Sequence, residues 1–393
     1  MADETRREAT GAESRTDATR ADRPDAADAT GVRVVITGGG TGGHLTPALA
    51  LASELDARGA TVTLVGGTRG LDPRLLPASG FDHRLIDAPS LDRRRWWRNV
   101  TLPWRLARAV REARGVVAET RPDVVVGTGG YASAPVGLVA AWRKIPLVLQ
   151  EQNRAPGIAT RVLARWADRV CVQFPEAEDA LGERVDVDTT GSPIPAQEPR
   201  DADFGGRLDP ERPTVGVFGG SQGARAINDA VLGLHSEAPG SRAWNLVWQT
   251  GEADHARIVA AAEWPDRYVI RPFFDPMAAV YPRLDVIVCR AGAMTLAEIT
   301  AWGIPSILIP YPYATADHQD ANARSMERAG AALRLTEEEL SPRRLGNLVT
   351  GLLKDPERRR TMAGAARDLG RPEAAAVVAD RVLEAARPGR EAA

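Results

Sequence analysis

Apolar residues fall in short, nearly unbroken runs along this chain, separated by longer stretches in which they recur at helical spacing. The runs at residues 32–37 (VRVVIT), 61–65 (TVTLV), 123–126, 146–149 and 170–172 have the length and β-branched content of buried strands. Helical patterns lie between most of them, the first from about residue 47 to 58. Such alternation predicts βαβ units and a parallel sheet. The pattern stops at residues 191–212 (GSPIPAQEPRDADFGGRLDPER), a stretch rich in Gly, Pro and charge that reads as a linker. It restarts with runs at 214–218 (TVGVF), 244–249, 268–271, 286–289 and 306–309, and residues 363–386 read as helical. The predicted fold class is α/β, with two Rossmann-like domains whose parallel sheets face a cleft. The N-terminal domain is expected at 32–190, the C-terminal domain at 213–370, and a terminal helix and tail at 371–393.

Residues 1–31 contain no Val, Ile, Leu, Phe, Tyr or Trp. A segment of that composition buries too little apolar surface to offset its ordering entropy, so a disordered tail is expected there. It also lacks the apolar core of a signal peptide. With 50 basic and 52 acidic residues in 393, the net charge of −2 gives no global case for nucleic acid. The 2 cysteines, Cys171 and Cys289, make no disulfide framework, and the sequence shows no Cys/His cluster for zinc. No apolar run approaches the ~18–20 residues that span a bilayer. A cytoplasmic protein is the expectation.

The chemistry concentrates in glycine loops. Gly38-Gly39-Gly40-Thr41-Gly42-Gly43-His44 lies between a predicted strand and a helix, where glycine lets backbone N–H groups approach a ligand and the helix start favours an anion. The spacing also fits a dinucleotide fingerprint, but the second strand ends in Val65-Gly66-Gly67-Thr68 without the acid that would hold a ribose. A second loop, Gly127-Thr128-Gly129-Gly130-Tyr131, and a third, Gly219-Gly220-Ser221-Gln222-Gly223, also follow predicted strands. Three such loops point to one phosphate-rich cleft; the alternative is glycine turns that serve only helix–sheet packing. Residues 290–298 (RAGAMTLAE) follow the strand at 286–289, and Glu298 is expected in the first helical turn, suited either to the macrodipole or to a ribose diol.

The strings ITGGGTGGHLTPALALA, GTGGYASAP, QEQNRAPG, GGSQGARAIN and CRAGAMTLAEI, followed by GIPSILIPYP and DHQDANA, together resemble the MurG family of bacterial peptidoglycan glycosyltransferases over about residues 32–385. The resemblance implies a glycosyltransferase B fold. It implies inverting, metal-independent transfer of N-acetylglucosamine (GlcNAc) from UDP-GlcNAc to the MurNAc C4 hydroxyl of undecaprenyl-pyrophosphoryl-MurNAc-pentapeptide (lipid I), giving lipid II, with no cofactor. The C-terminal domain would hold the donor. The N-terminal domain would receive the lipid at the cytoplasmic face of the membrane, as a peripheral protein. By motif, Thr41, Gly42 and Gly43 line the donor–acceptor junction, and Asn153 belongs to the GlcNAc site. Ser221 meets the donor phosphates, and the main chain at Phe274 meets uracil. Ala293, Met294, Thr295, Leu296 and Ala297 form the nucleotide turn. Glu298 takes the ribose and Gln319 the sugar. Gly129, Gly130 and Tyr131 suit the acceptor pyrophosphate.

A single displacement needs a base for the attacking hydroxyl and stabilisation of the departing pyrophosphate. His44 is the candidate base, since an imidazole ordinarily titrates near pH ~6.5. Glu151 is the second candidate, or a partner that orients His44. Two Asp-x-Asp strings, Asp186/Asp188 and Asp201/Asp203, are the only hint of a metal, and neither follows a predicted core strand at the cleft. Residues 91–108 mix Arg93, Arg94, Arg95, Arg98, Arg105 and Arg108 with Trp96, Trp97 and Trp104. Arginine suits anionic headgroups and tryptophan the interface, so the segment reads as a membrane patch; the alternative packs the tryptophans in the core.

Two positions depart from the family pattern. Gln150 stands where a His is common, and Pro195 where an Arg of the nucleotide-sugar site is usual. They keep open a non-catalytic protein that binds UDP-sugar or lipid pyrophosphate, beside a transferase of the same fold with another lipid acceptor.

Overall fold

The computed structural model describes residues 28–89, 101–182, 184–197, 204, 206–220, 223–237, 243–314 and 317–387. The first half runs β1 (Arg33–Thr37), α1 (Gly42–Ala57), β2 (Thr61–Gly67), α2 (Asp72–Ala78), β3 (Asp82–Ile86), α3 (Leu102–Thr120), β4 (Val124–Gly127), α4 (Ser133–Arg143), β5 (Leu147–Glu151), α5 (Ile158–Leu163), β6 (Arg169–Val172), α6 (Ala177–Leu181) and β7 (Val187–Thr189). The second half runs β8 (Thr214–Phe218), α7 (Arg225–Glu237), β9 (Asn245–Gln249), α8 (Glu252–Ala260), β10 (Tyr268–Arg271), β11 (Val286–Cys289), α9 (Ala293–Trp302), β12 (Ser306–Leu308), α10 (His318–Arg328) and β13 (Ala332–Arg334). Three helices close the chain: α11 (Pro342–Lys354), α12 (Pro356–Leu369) and α13 (Ala374–Ala386).

The strands form two parallel sheets, in the orders β3-β2-β1-β4-β5-β6-β7 and β10-β9-β8-β11-β12-β13. Central strands such as β4 and β5 are buried along their whole length, which is why they read as unbroken apolar runs. In each sheet the order reverses between two adjacent strands, β1 and β4 in the first and β8 and β11 in the second. A crevice opens outside the carboxyl ends of strands at such a switch point, and that is where open α/β sheets bind ligands. Loops 38–43 and 127–131 leave β1 and β4; Gly219 and Gly220 follow β8, and the loop 290–292 leaves β11. The sequence motifs therefore frame both switch points.

Several boundaries differ from the sequence reading. The first helix begins at Gly42, five residues before the expected start, so the end of the glycine loop is its first turn. The helical run at 363–386 is two helices, broken at Gly370. Residues 28–31 are part of the fold, since Ala29 is buried and its N–H donates to Arg58 O at 3.0 Å; the rest of the expected tail lies outside the described residues. The linker begins buried: Ile194 packs against Met294 and Ala297 at the start of α9. Its remainder, with Asp201 and Asp203, is outside the described residues except for 195–197, 204 and 206–212. The last helix, α13, returns to the first domain, where Val378, Ala379, Val382 and Leu383 join the core under α1.

Candidate functional site

The floor of the first crevice is two interlocked glycine loops. Gly130 has φ +81°, and a Cβ there would lie 2.3 Å from Gly39 O, so only glycine lets the loops meet. The carboxylate of Asp72, wholly buried at the start of α2, accepts from Gly40 N–H and Gly67 N–H, each at 2.7 Å. The Tyr131 ring lies over Gly40 and Gly67, and its hydroxyl donates to Arg69 O at 2.5 Å. Tyr131 thus braces the first loop; its hydroxyl is not available to a pyrophosphate. The backbone is available. The N–H groups of Thr41, Gly42, Gly43, Gly129, Gly130 and Tyr131 have no acceptor among the described residues. They make a concave set of donors beside the start of α1, the arrangement that holds an anion.

His44 sits half-buried between these loops. Its Nδ1 is 3.1 Å from Thr128 O and 3.2 Å from Gln152 Oε1. Its main chain accepts from Thr128 Oγ1 at 2.9 Å, which ties the ring to the second loop. Glu151 does not meet it. Side chains alternate across β5, so Glu151 points to the α5 side, while Gln150 and Gln152 point to the α1 side. The Glu151 carboxylate accepts from Asn153 N–H (3.0 Å), Asn153 Nδ2 (3.1 Å), Gly157 N–H (2.9 Å) and Thr160 Oγ1 (2.6 Å). Four donors within one loop make it a staple, so the expectation that Glu151 orients His44 is corrected: the partner is Gln152. Asn153 keeps its amide oxygen for a ligand. Gln150 is fully buried and donates to Gly191 O at 3.1 Å, so the departure from the family's His lies where the chain leaves the first domain.

In the second domain, α9 starts at Gly292, and the N–H groups of Ala293, Met294 and Thr295 have no acceptor among the described residues. The side chains of Met294 and Ala297 pack on the hinge and Leu296 is in the core, its N–H donating to Gly292 O. Main-chain groups at 293–295, not the side chains of 294, 296 and 297, are what this turn can offer. Glu298 stands in the second turn of α9, not the first, which removes the simple dipole reading. Burial pushes its carboxyl up from 4.5 to about 7, against the opposing effect of Tyr281 Oη, which donates to Glu298 Oε2 at 2.6 Å. Tyr281 itself is held well above its ordinary range by burial and by the Glu298 charge. Phe274 N–H donates to Gln249 Oε1 at 3.0 Å, and its carbonyl has no donor among the described residues. Gln319 Oε1 accepts from Tyr311 N–H at 3.0 Å, which turns its NH2 outward. Asn322, a turn later, donates to Ala291 O and fixes α10 against the nucleotide turn. The two domains touch here: Gln173 Nε2 donates to Ala293 O at 3.2 Å.

Ser221, Arg94, Arg95, Trp96 and Trp97 lie outside the described residues. Trp104 is 80% exposed at the start of α3, so it is not a core residue. Asp186 pairs with Arg169 (3.1 Å) and Asp188 with Arg381 (2.6 Å), away from both crevices. Sequence reasoning missed Asp72, Gln152, Tyr281 and Gln249.

The glycosyltransferase family 28 N-terminal domain matches residues 34–172 and the family's C-terminal domain residues 214–379. A UDP-N-acetylglucosamine--N-acetylmuramyl-(pentapeptide) pyrophosphoryl-undecaprenol N-acetylglucosamine transferase of Syntrophotalea carbinolica is 42% identical over 91% of this chain and 98% of its own. The transferase of the same name from Xylella fastidiosa is 42% identical over 89% and 95%. The crystal structure of MurG from Acinetobacter baumannii superposes with a TM-score of 0.71 at 29% identity, covering 90% of this chain and 99% of that one. The calicheamicin glycosyltransferase CalG4 shares the fold, with a TM-score of 0.67 at 17% identity over 92% and 99%.

Proposed function

The chain belongs to glycosyltransferase family 28, and we propose that its cleft carries out the transfer for which its relatives are named. The GlcNAc of UDP-GlcNAc passes to the MurNAc C4 hydroxyl of undecaprenyl-pyrophosphoryl-MurNAc-pentapeptide, with inversion at the anomeric carbon. The observation that carries the reading is His44 between two anion-receiving glycine loops, across the cleft from the start of α9. In this account the acceptor hydroxyl gives its proton to His44 as its oxygen attacks, and UDP leaves. The N–H groups at 293–295, with the loop at 219–223, meet the pyrophosphate charge that develops on departure. Glu298 holds the ribose, the Phe274 carbonyl meets the uracil, and Asn153 and Gln319 bind the sugar. Gly129, Gly130 and the Tyr131 main chain receive the acceptor pyrophosphate beside Thr41–Gly43.

The lipid acceptor implies a membrane face. No helix among the described residues is long and apolar enough to cross a membrane. Helices α3, α4 and α5 pack side by side and, with the short turn Ala164–Trp166 after α5, expose Trp104, Trp142, Ile158 and Trp166 among Arg108, Arg143, Arg161 and Arg165. Exposed tryptophan interleaved with arginine supports docking at an anionic interface.

Turnover followed by mass spectrometry tests the whole reading, with UDP-GlcNAc and a short-chain lipid I analogue, with and without EDTA. Wild type is expected to form the disaccharide in both buffers, and His44→Ala to do so slower by about 10²- to 10⁴-fold. Full activity in His44→Ala removes the base assignment; loss in EDTA assigns a metal to the donor site.

A further inference from the structure

We propose that Gln152 is the positioning residue that holds His44 as its Nδ1–H tautomer, leaving Nε2 as the nitrogen that takes the acceptor proton. The proposal rests on the reading of His44 as the base, and its geometry is independent of that reading. Gln152 is buried behind the ring. Its Nε2 donates to Thr128 O at 2.9 Å and to Gln150 O at 3.2 Å. Both are main-chain carbonyls, which only accept, so turning the amide over would set its oxygen against two others. The atom 3.2 Å from His44 Nδ1 is therefore Oε1, an acceptor. Thr128 O, 3.1 Å from the same nitrogen, is an acceptor too. A ring nitrogen facing two acceptors carries the proton, and the lone pair is left on Nε2. No partner occupies Nε2 among the described residues.

The choice of an amide matters. A carboxylate in this place would turn its second oxygen on Thr128 O and Gln150 O, two carbonyls that only the amide NH2 satisfies. Gln152 orients the ring without adding a charge, so the proton taken from the acceptor is not trapped by a buried anion.

Nitrogen-15 NMR of histidine-labelled protein reads the tautomer directly. The chain has 5 histidines, and the His44 signal is the one lost in His44→Gln. Wild type is expected to show neutral His44 protonated at Nδ1. Gln152→Leu is expected to shift that signal toward a mixture, because only Thr128 O remains, and to lower kcat about 10- to 100-fold with the UDP-GlcNAc KM little changed. A proton on Nε2 in the wild type overturns the proposal and needs no variant at position 152. Gln152→Leu with both the His44 signal and kcat unaltered overturns it as well. Full turnover in His44→Ala would instead remove the base reading, while the NMR signal still decides what Gln152 does.

Discussion

Glu298 has a carboxyl that titrates near pH 7 because burial disfavours its charge. A raised carboxyl means that the folded protein binds more protons than the unfolded chain between pH 4.5 and about 7. Stability is therefore expected to fall as pH rises through that window, a slope that Glu298→Gln should flatten in denaturant titrations. Donor binding is expected to run the other way. A ribose diol donates best to the carboxylate, so UDP affinity should tighten as pH rises through about 7. Glu298→Gln should remove that dependence and weaken UDP about ten- to hundredfold, since a hydrogen bond to a charged group contributes roughly 1.5–3 kcal/mol. Calorimetry at pH 6 and pH 8 checks both; a pH-independent wild type would sink the assignment. Glu298 was legible because it follows a glycine turn, whereas Tyr281, which shapes its titration, lies in a segment with no motif. Gln152 sat inside a recognised string, yet Glu151 drew attention because it can titrate. Alternation across β5 decides between them, and that is visible only once the register of the strand is known.

At the scale of elements, the glycine loops act as a matched pair. Gly129 has φ +96°, and a Cβ there would lie 2.6 Å from His44 Nδ1. Gly129→Ala therefore strains the backbone, by about 1–3 kcal/mol, and also displaces the ring. It is expected to lower kcat at least tenfold while UDP binding, which belongs to the other domain, stays intact. Unchanged kcat would separate His44 from the second loop. That these loops carry chemistry was legible from three glycine clusters, each following an apolar run. Their interlock was not, because Asp72 and Gly130 reach the first loop from distant sequence. The missed strands are β3, β7 and β13. They are short and lie at or near sheet edges, and β3 (DHRLI) and β7 (VDT) carry polar residues that break the apolar run by which central strands were found. Pro47 misled the start of α1: proline favours the first helical position, but here it stands inside the helix, five residues after Gly42.

For the molecule as a whole, the doubling of the α/β pattern was legible and so was the cleft. The membrane-facing reading gives a test that leaves the cleft untouched. Trp104→Ala combined with Trp142→Ala should reduce binding to vesicles rich in anionic lipid, with UDP affinity unaltered; vesicle binding equal to wild type would withdraw that face. The return of α13 was not legible, because an amphipathic helix announces that it buries one side but not which sheet receives it. Its position is fixed by pairs far apart in sequence: Arg58 with Asp380, 322 residues on, and Arg381 with Asp188, 193 residues away. The chain leaves the first domain at Gly191 and rejoins it at Arg371, and the two touch; a Cβ on Gly191 would lie 2.6 Å from the Cβ of Arg371. The second half, to which we assign the donor, is therefore a cassette whose entry and exit share one seam. On that assignment, exchanging nucleotide-sugar preference between relatives is expected to require matching that seam together with the contacts of α1, Gln173, Phe174 and Ile194 on the second half, so donor choice would change by module.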